Sequence, residues 1–450
     1  MSRFNIGLGV LPIPAEVTEH TLTHCHPRDV ASFSQTCRRA RSLVYSSPDQ
    51  YLWRQLFLSL PFDDPRTSLR NDSDSDPGQP YNWKMELQTR IQAELTALGS
   101  NSSPEELRSA LDTFVSVVRS ASPVTQGNER VPSQSLLWVV RVLQESNLLS
   151  RAPSFTQRQS PYQPLHRLRS YLALTLDDND DEESVSRLKK LRTRSRCTVY
   201  DLRNYGPDNS WGPLTSTGEV SWVHAEAIIN VVLMNLSEYN HHWVDTRPPC
   251  GLEATRAYSA PGATSRSPSD WAGVEGTWRR FVCFMDYRDL FAFNFSSRAN
   301  GHQTTFFDDT NFQEAIRLIE LTLQLIPSDE VPKYFTLEPL PDCPNPNYPT
   351  LYFTGTSWGV HGNEATVIGS VSMGLDDVVR WRFTRKASIH EAHMQWSSEG
   401  VQIGSVASAA GVVGTWTGAH HEHGDPVGPF WLWRVQDDHP SYLRAIQLDL

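Results

Sequence analysis

Gly411-Val412-Val413-Gly414-Thr415-Trp416 repeats, as G-V-x-G-T-W, the pattern of Gly273-Val274-Glu275-Gly276-Thr277-Trp278 earlier in the chain. A second echo, G-T-x-x-G-x-H, runs over Gly355 to His361 and again over Gly414 to His420. Glycine permits a tight bend at a strand start, and a Trp at that point is large enough to close a barrel end. Around the echoes lie short β-prone runs: Phe281 to Met285, Leu290 to Phe295, Thr350 to Thr354, Ala365 to Met373, Val378 to Phe383, Gly400 to Val406 and Phe430 to Val435. Gly and Asp/Asn turn signals separate most of them, a texture that reads as an antiparallel sandwich or barrel. The echoes favour one closed β domain. Asn311 to Ile326 is expected to interrupt it as a helix, because Phe312, Ile316, Ile319 and Leu323 fit a helical period.

Upstream of this region the chain reads as helical. Glu219 to Tyr239 carries a stripe of Trp222, Ala225, Ile229, Leu233 and Leu236, and Pro248 to Pro268 is a Gly/Pro/Ser-rich loop. Tyr81 to Leu98 places Trp83, Leu87, Ile91 and Leu95 four residues apart. Ser103-Pro104-Glu105-Glu106 is an N-cap with Pro in the first helical position, opening Leu107 to Val118; Ser135 to Leu149 follows as another amphipathic helix. Between the helical pieces, residues 61–80 have little apolar content after Phe62 and are expected to be a disordered linker. The acidic run at 177–184 is expected to be a disordered insertion.

Composition narrows the function classes. At roughly 150 residues per domain, the 450 residues suggest several domains. The 40 Lys and Arg against 51 Asp and Glu leave a net charge of −11, which argues against a general nucleic-acid or acidic-membrane binder. No apolar run reaches the roughly 18 residues needed to cross a bilayer. The six cysteines are scattered and form no C-x-x-C pair, so a reducing intracellular setting is expected, with no metal or other cofactor.

The N-terminal landmarks are Ile13-Pro14-Ala15-Glu16-Val17, Thr21-Leu22, Cys25, Pro27-Arg28-Asp29-Val30, Phe33 to Arg39, Leu43 and Tyr51 to Phe57. They read as short helices with Pro-marked corners, Pro14 and Pro27 each suiting a first helical position. A unit of about fifty residues has little core of its own and gains from docking on a partner. This stretch resembles an F-box (L-P-x-E-L, I-L, L-x-P-x-D-L, then Cys with a basic neighbour and a closing L-W). The resemblance implies that Ile13, Pro14, Val17, Leu22, Pro27 and Val30 face the Skp1 adaptor of an SCF ubiquitin ligase, with Trp53 and Leu56 closing the motif. Where the pattern has apolar residues, this chain has Thr21 and Cys25, with His24 nearby.

The β-rich part is similar to F-box proteins that end in a lipocalin-like barrel, including fungal members and the animal type that captures the tails of D-type cyclins. The similarity rests on Trp271 to Trp278, Gly355 to Gly362, Gly411 to Trp416 and Asp425 to Trp431. The animal type has G-T-Y-G-x-H-G where this chain holds Ser357 and Trp358 in place of the Tyr.

Three chemical motifs compete with that reading. Gly355-Thr356-Ser357-Trp358-Gly359 satisfies G-x-S-x-G, and Asp376 and His420 follow in triad order, but the elbow needs a helix after the Ser. His420, His421, His423 and Asp425 contain metal-ligand types without a recognisable spacing, in a loop-like context. Arg380 and Arg382 share one face of a strand and would hold a carboxylate if they faced a barrel mouth; otherwise they form a solvated outer face.

The expectation is therefore an α+β chain: an F-box helical bundle at 8–60, the linker, a helical spacer at 81–160, and an antiparallel β-barrel with accessory helices at 162–450. Its function would be non-catalytic substrate recognition in the cytoplasm or nucleus. Its partners would be Skp1, through it cullin-1, and a target protein, with no nucleic acid or membrane. The target would sit near Trp358, His361, Arg380, Arg382, Trp416, His420 and Asp425. The alternatives are a ligand-regulated F-box receptor with a small-molecule-binding barrel and an esterase using Ser357.

Overall fold

A computed structural model of the chain describes residues 13–47, 49–68, 81–127, 131–151, 162–177, 181–238, 247–295, 304–309, 312–334, 346–359, 364–386 and 395–439. The chain divides into two units, Met1–Ser120 with Ser133–Leu148, and Ala121–Pro132 with Leu149–Leu450.

The first unit is helical. It begins with α1 (Ala15–Leu22), α2 (Pro27–Ser34), α3 (Arg38–Tyr45) and α4 (Tyr51–Ser59). Pro27 opens α2, where its missing N–H loses nothing, whereas Pro14 stands one residue before α1 as its cap. His26 Nδ1 accepts the Arg28 amide at 3.2 Å, closing the α2 N-terminus. The unit is completed by α5 (Trp83–Leu98), α6 (Pro104–Arg119) and α7 (Gln134–Glu145). Ser103 and Glu106 form the reciprocal capping box that the sequence announces, at 3.2 and 2.7 Å.

The four-residue row in α5 does not define its buried face. Trp83 and Leu87 are buried, but Leu95 is 40% exposed. Four residues turn a helix by about 400°, so such a row drifts about 40° per step. Arg90, Ala93 and Ala97 take the inner positions instead. The Arg90 guanidinium lies 4.9 Å from the Phe57 ring and 4.8 Å from Phe62, and donates to Glu86 at 2.8 Å and to Ser135 Oγ at 3.0 Å. This buried cation is satisfied on every side by rings and acceptors. The expected linker is partly built into the same packing. Phe62 is buried, the Asp63 amide donates to Ser135 Oγ at 2.9 Å, and Asp63 Oδ1 accepts the Gln134 amide at 2.8 Å. Residues 69–80 lie outside the described residues.

After the single turn α8 (Leu148–Arg151), the second unit supplies α9 (Gln163–Leu172), α10 (Glu182–Val199) and α11 (Trp222–Ser237). The acidic run differs from expectation where it is described. Asp181 caps α10 by accepting the Ser184 amide at 2.9 Å, and Glu182 and Glu183 fill the first turn. Carboxylates are favoured there by the free amides and the helix dipole. Residues 178–180 of that run lie outside the described residues.

The rest of the second unit is a closed antiparallel barrel of β1 (Gly276–Phe284), β2 (Ala315–Leu325), β3 (Leu351–Gly359), β4 (Glu364–Met373), β5 (Val379–Lys386), β6 (Trp396–Gln402), β7 (Val412–Gly418) and β8 (Val427–Arg434), paired in chain order. β1 closes on β8 from Trp278↔Arg434 to Val282↔Phe430. Between β1 and β2 lies α12 (Tyr287–Phe295), and after β2 the turn α13 (Val331–Tyr334).

Two expected elements exchange identity here. Residues 290–295 form helix rather than strand, and bury Leu290 and Phe293 three residues apart on one helical face. The expected helix at 311–326 is β2. Its Ile319, Leu321 and Leu323 alternate into the barrel core, while Phe312 lies before the strand against Arg196, 4.8 Å away. Four apolar residues spaced by three or four also satisfy alternation when other apolar residues lie between them.

Side chains of Trp278, Trp381, Phe353 and Val412 share one core with Ala260, Ala263, Trp271, Val274 and Ala407 from the flanking loops, which plug the end where β1 begins. Trp271 Nε1 donates to the Pro349 carbonyl at 2.7 Å. On the outside, α11 packs against β7, β8 and β1 on one side and α9 and α10 on the other. That double contact explains why its apolar residues run around the helix.

The two echoes have a physical content. Gly273 and Gly411 both hold a left-handed backbone, at φ +66° and +72°, the first three residues before β1 and the second directly before β7. Gly414 faces the lumen, where an added Cβ would stand 2.1 Å from the Glu399 carbonyl oxygen and 2.6 Å from Gly400 Cα. Gly414→Ala is expected to cost about 1–3 kcal/mol, read as a lower melting temperature. Gly359→Ala, with nothing among the described residues within 4 Å of the new methyl, is expected to melt within about 0.5 kcal/mol of the parent. Equal melting of the two variants would contradict the packing described.

Candidate functional site

Because successive strand residues face opposite sides, the register fixes which side chains enter the lumen. In β5 the buried aromatics Trp381 and Phe383 point inward, and Arg385 continues their parity. Trp278 and Val282 do the same for β1, which turns Arg280 inward between them.

Of these, Arg280, Val282 and Arg385 meet at the end of the barrel opposite the plug, around a cavity of about 330 Å³. One wall is aromatic: Trp396 and Trp416 meet edge to face at 5.1 Å, and Phe284 lies 6.4 Å from Trp416. Trp416 Nε1 donates to the Cys283 carbonyl at 3.1 Å, which fixes the ring. Three guanidinium groups also line the cavity, those of Arg280, Arg317 and Arg385. Arg280 is deepest, at 5% exposure, with Phe430 and Phe383 at 4.3 and 5.0 Å and a 2.8 Å hydrogen bond to Ser398 Oγ. Arg317 stands at the rim over the Phe284 ring at 5.1 Å. Burial, reinforced by the charge of Arg385, brings the Arg280 guanidinium down to about 9, and burial with Arg317 nearby lowers Arg385. The buried Nε atoms of Arg280 and Arg385 find no hydrogen-bond partner among the described residues.

Of the positions expected to hold a target, Trp416 lines this cavity. Trp358 lies at the same end, near the close of β3, with a parity that turns it outward. His361 lies outside the described residues. His420 and Asp425 belong to the loop joining β7 to β8, where Asp425 Oδ2 accepts the Glu422 amide at 2.8 Å and Pro426 reaches the cavity wall. In the same loop, His421 stacks on Trp211 at 3.8 Å.

Arg380 and Arg382 face outward, opposite to Trp381 and Phe383, and each already has an acid. Arg380 donates to Asp376 at 2.6 Å and Arg382 to Glu399 at 2.6 Å. The Arg pair that the sequence offered for the barrel mouth is therefore an outer ion-paired row. The three arginines that do line the mouth carry no local motif, and of them the alternation with Trp381 and Phe383 points Arg385 inward. Ser357 sits within β3 and donates to the Ala365 carbonyl at 3.3 Å, with β4 rather than a helix following, so the nucleophile elbow is not formed. Among the described residues no three His, Cys, Asp or Glu side chains gather as a metal site, and no helix is long and apolar enough to cross a membrane.

In the helical unit, Ile13 and Val17 are 42% and 53% exposed, and Pro14 beside them is also exposed. Pro27 is half-buried, whereas Leu22, Val30 and Trp53 are buried, the last donating from Nε1 to the Val44 carbonyl at 3.0 Å. The motif thus separates into an outward apolar face and residues that hold that face in shape.

Residues 11–49 match the F-box domain. No curated protein and no solved structure matches the chain. The chain accordingly carries an F-box domain in its helical unit and a closed eight-stranded antiparallel barrel after it.

The outer ion pair makes a pH-dependent prediction. Burial pushes the Glu399 carboxyl from 4.5 up to about 7, against the pull of Arg382. Between those values the folded barrel holds a proton that the unfolded chain has released, so the contribution of Glu399 to stability falls as pH rises through that window. Glu399→Gln removes the titration and is expected to flatten the decline in melting temperature between pH 4.5 and 7. Identical pH slopes for parent and variant would contradict this.

Proposed function

We propose that the chain is the substrate-recognition subunit of an SCF-type ubiquitin ligase, docking through its F-box on Skp1 and so on cullin-1, and holding a target protein at the mouth of its barrel. The observation that carries this reading is the F-box match at residues 11–49. The exposed apolar group of Ile13, Pro14 and Val17 on that domain supports it, because apolar surface gains most by being covered. The chain acts as a non-catalytic adaptor in the cytoplasm or nucleus, raising the effective concentration of the target's lysines near the ubiquitin-loaded enzyme. The sequence likeness of the barrel to lipocalin-like F-box proteins, of the fungal and the cyclin-D-binding animal types, agrees with a recognition role. A cavity of about 330 Å³ also suits a small ligand, which favours a ligand-regulated receptor as the second reading.

The test is binding of the full chain to purified Skp1. Val30 is fully buried, so a charge there would disturb the fold; Val17→Asp alters an exposed residue instead. Val17→Asp is expected to weaken Skp1 binding at least tenfold, about 1.4 kcal/mol, with the melting temperature unchanged. No binding by the parent chain would overturn the reading.

A further inference from the structure

The mouth of the barrel carries more positive charge than its surroundings balance. Arg280, Arg317 and Arg385 line it, and Asp286 is the one carboxylate among the described lining residues. Asp286 Oδ1 is occupied by the Arg288 amide at 2.8 Å, at the start of α12. Burying a guanidinium without a counter-charge is strongly unfavourable, because the cation gives up its hydration with nothing to replace it. The chain nevertheless places one 5% exposed at the cavity floor, where among the described residues Ser398 Oγ is its one hydrogen-bond acceptor. Its Nε and that of Arg385 stay without a hydrogen-bond partner among the described residues. Orphaned donors in a native interior call for a missing acceptor. Neighbouring positions on the outer face show the contrast, since Arg380 and Arg382 each have an acid at 2.6 Å.

Among the described lining residues, three guanidinium charges against one carboxylate leave a surplus of two. A monoanion answers half of that surplus, and a phosphomonoester dianion answers all of it. A phosphoryl group also offers several oxygens to planar donors arriving from different strands. The wall of Phe284, Trp396 and Trp416 gives such a ligand an apolar or aromatic stem beside its charged head.

We propose that the open end of the barrel is a phosphoryl-recognition site, in which Arg280, Arg317 and Arg385 receive a phosphomonoester and Phe284, Trp396 and Trp416 receive the apolar group that bears it. The inference rests on the barrel being the recognition module of the proposed receptor, and it names the chemistry of what the module selects. The phosphoryl group comes from a phosphorylated side chain or from a free small molecule.

Calorimetric titration of the full chain with phenyl phosphate tests it. Binding is expected, at least tenfold tighter than benzoate or inorganic phosphate. Because Arg317 is exposed and Arg385 half-buried, Arg317→Gln and Arg385→Gln should keep the melting temperature while each weakens phenyl phosphate tenfold or more. The peptide Ala-Ala-phosphoTyr-Ala-Ala separates the sources. Binding as tight as phenyl phosphate supports a phosphorylated protein, and loss of binding to the peptide alone supports a small-molecule phosphate. No binding of phenyl phosphate by folded protein, equal binding of benzoate, or indifference to both substitutions would overturn the proposal. Skp1 binding measured on the same samples should not change in either variant. A parent chain that binds Skp1 but not phenyl phosphate sinks this inference alone, whereas Skp1 binding absent from the parent sinks the receptor reading.

Discussion

The pairing of β1 with β8 closes the sheet, and that closure makes the inward and outward faces of every strand inescapable. A closed barrel has no edge to slip along, so a one-residue change of register would move a whole strand's apolar set into solvent. The same rule decides the charges. Within β5, Arg380 and Arg382 fall outside and find acids, while Arg385 falls inside, where among the described residues its Nε finds none. The barrel is therefore unequal at its two ends. One end is filled by Trp271, Trp278 and small residues of the flanking loops, and the other keeps a cavity with a charged floor and an aromatic wall.

The helices of the second unit follow from that closed surface. β7, β8 and β1 present apolar side chains outward, and α11 covers them with residues such as Ile228 and Val232. Since α9 and α10 cover the far side of α11, the polar groups it carries must be matched. Glu226 lies 2.6 Å from His166 Nδ1, and Asn230 donates to Ser195 Oγ at 3.2 Å. In a similar way, Glu314, just before β2, accepts from Arg196 at 2.8 Å and from Tyr200 Oη at 2.6 Å. A helical layer that is dry on both faces fixes the outer wall while leaving the mouth to the loops.

Much of this architecture is legible in the sequence, for physical reasons that can be named. Turn glycines and alternating apolar residues announce the barrel, and Pro27 and the Ser103 capping box announce helix starts, because these signals are local. The exchange of helix and strand between 287–295 and 315–325 is not local. Both segments are apolar enough to satisfy either period, and only the barrel's need for a second strand decides between them. The acidic residues 181–183 read as disorder by composition but serve as a cap because a helix begins there. The F-box motif is readable in its landmarks, yet sequence cannot separate Val17, which is exposed, from Val30, which is buried. The arginines of the mouth are missed because Arg280, Arg317 and Arg385 lie on three strands, and only the closed register brings them together.

The central claim is a division of labour, in which the helical unit binds the adaptor and the barrel keeps its mouth free. Hydrogen–deuterium exchange of the full chain, with and without Skp1, tests this most directly, since amides covered by a partner or stabilised by it exchange more slowly. The account predicts added protection in α1 and α2, residues 15–34, with the exchange of β1 to β8 unchanged. Protection of the barrel strands instead, or no protection anywhere at saturating Skp1, would contradict it.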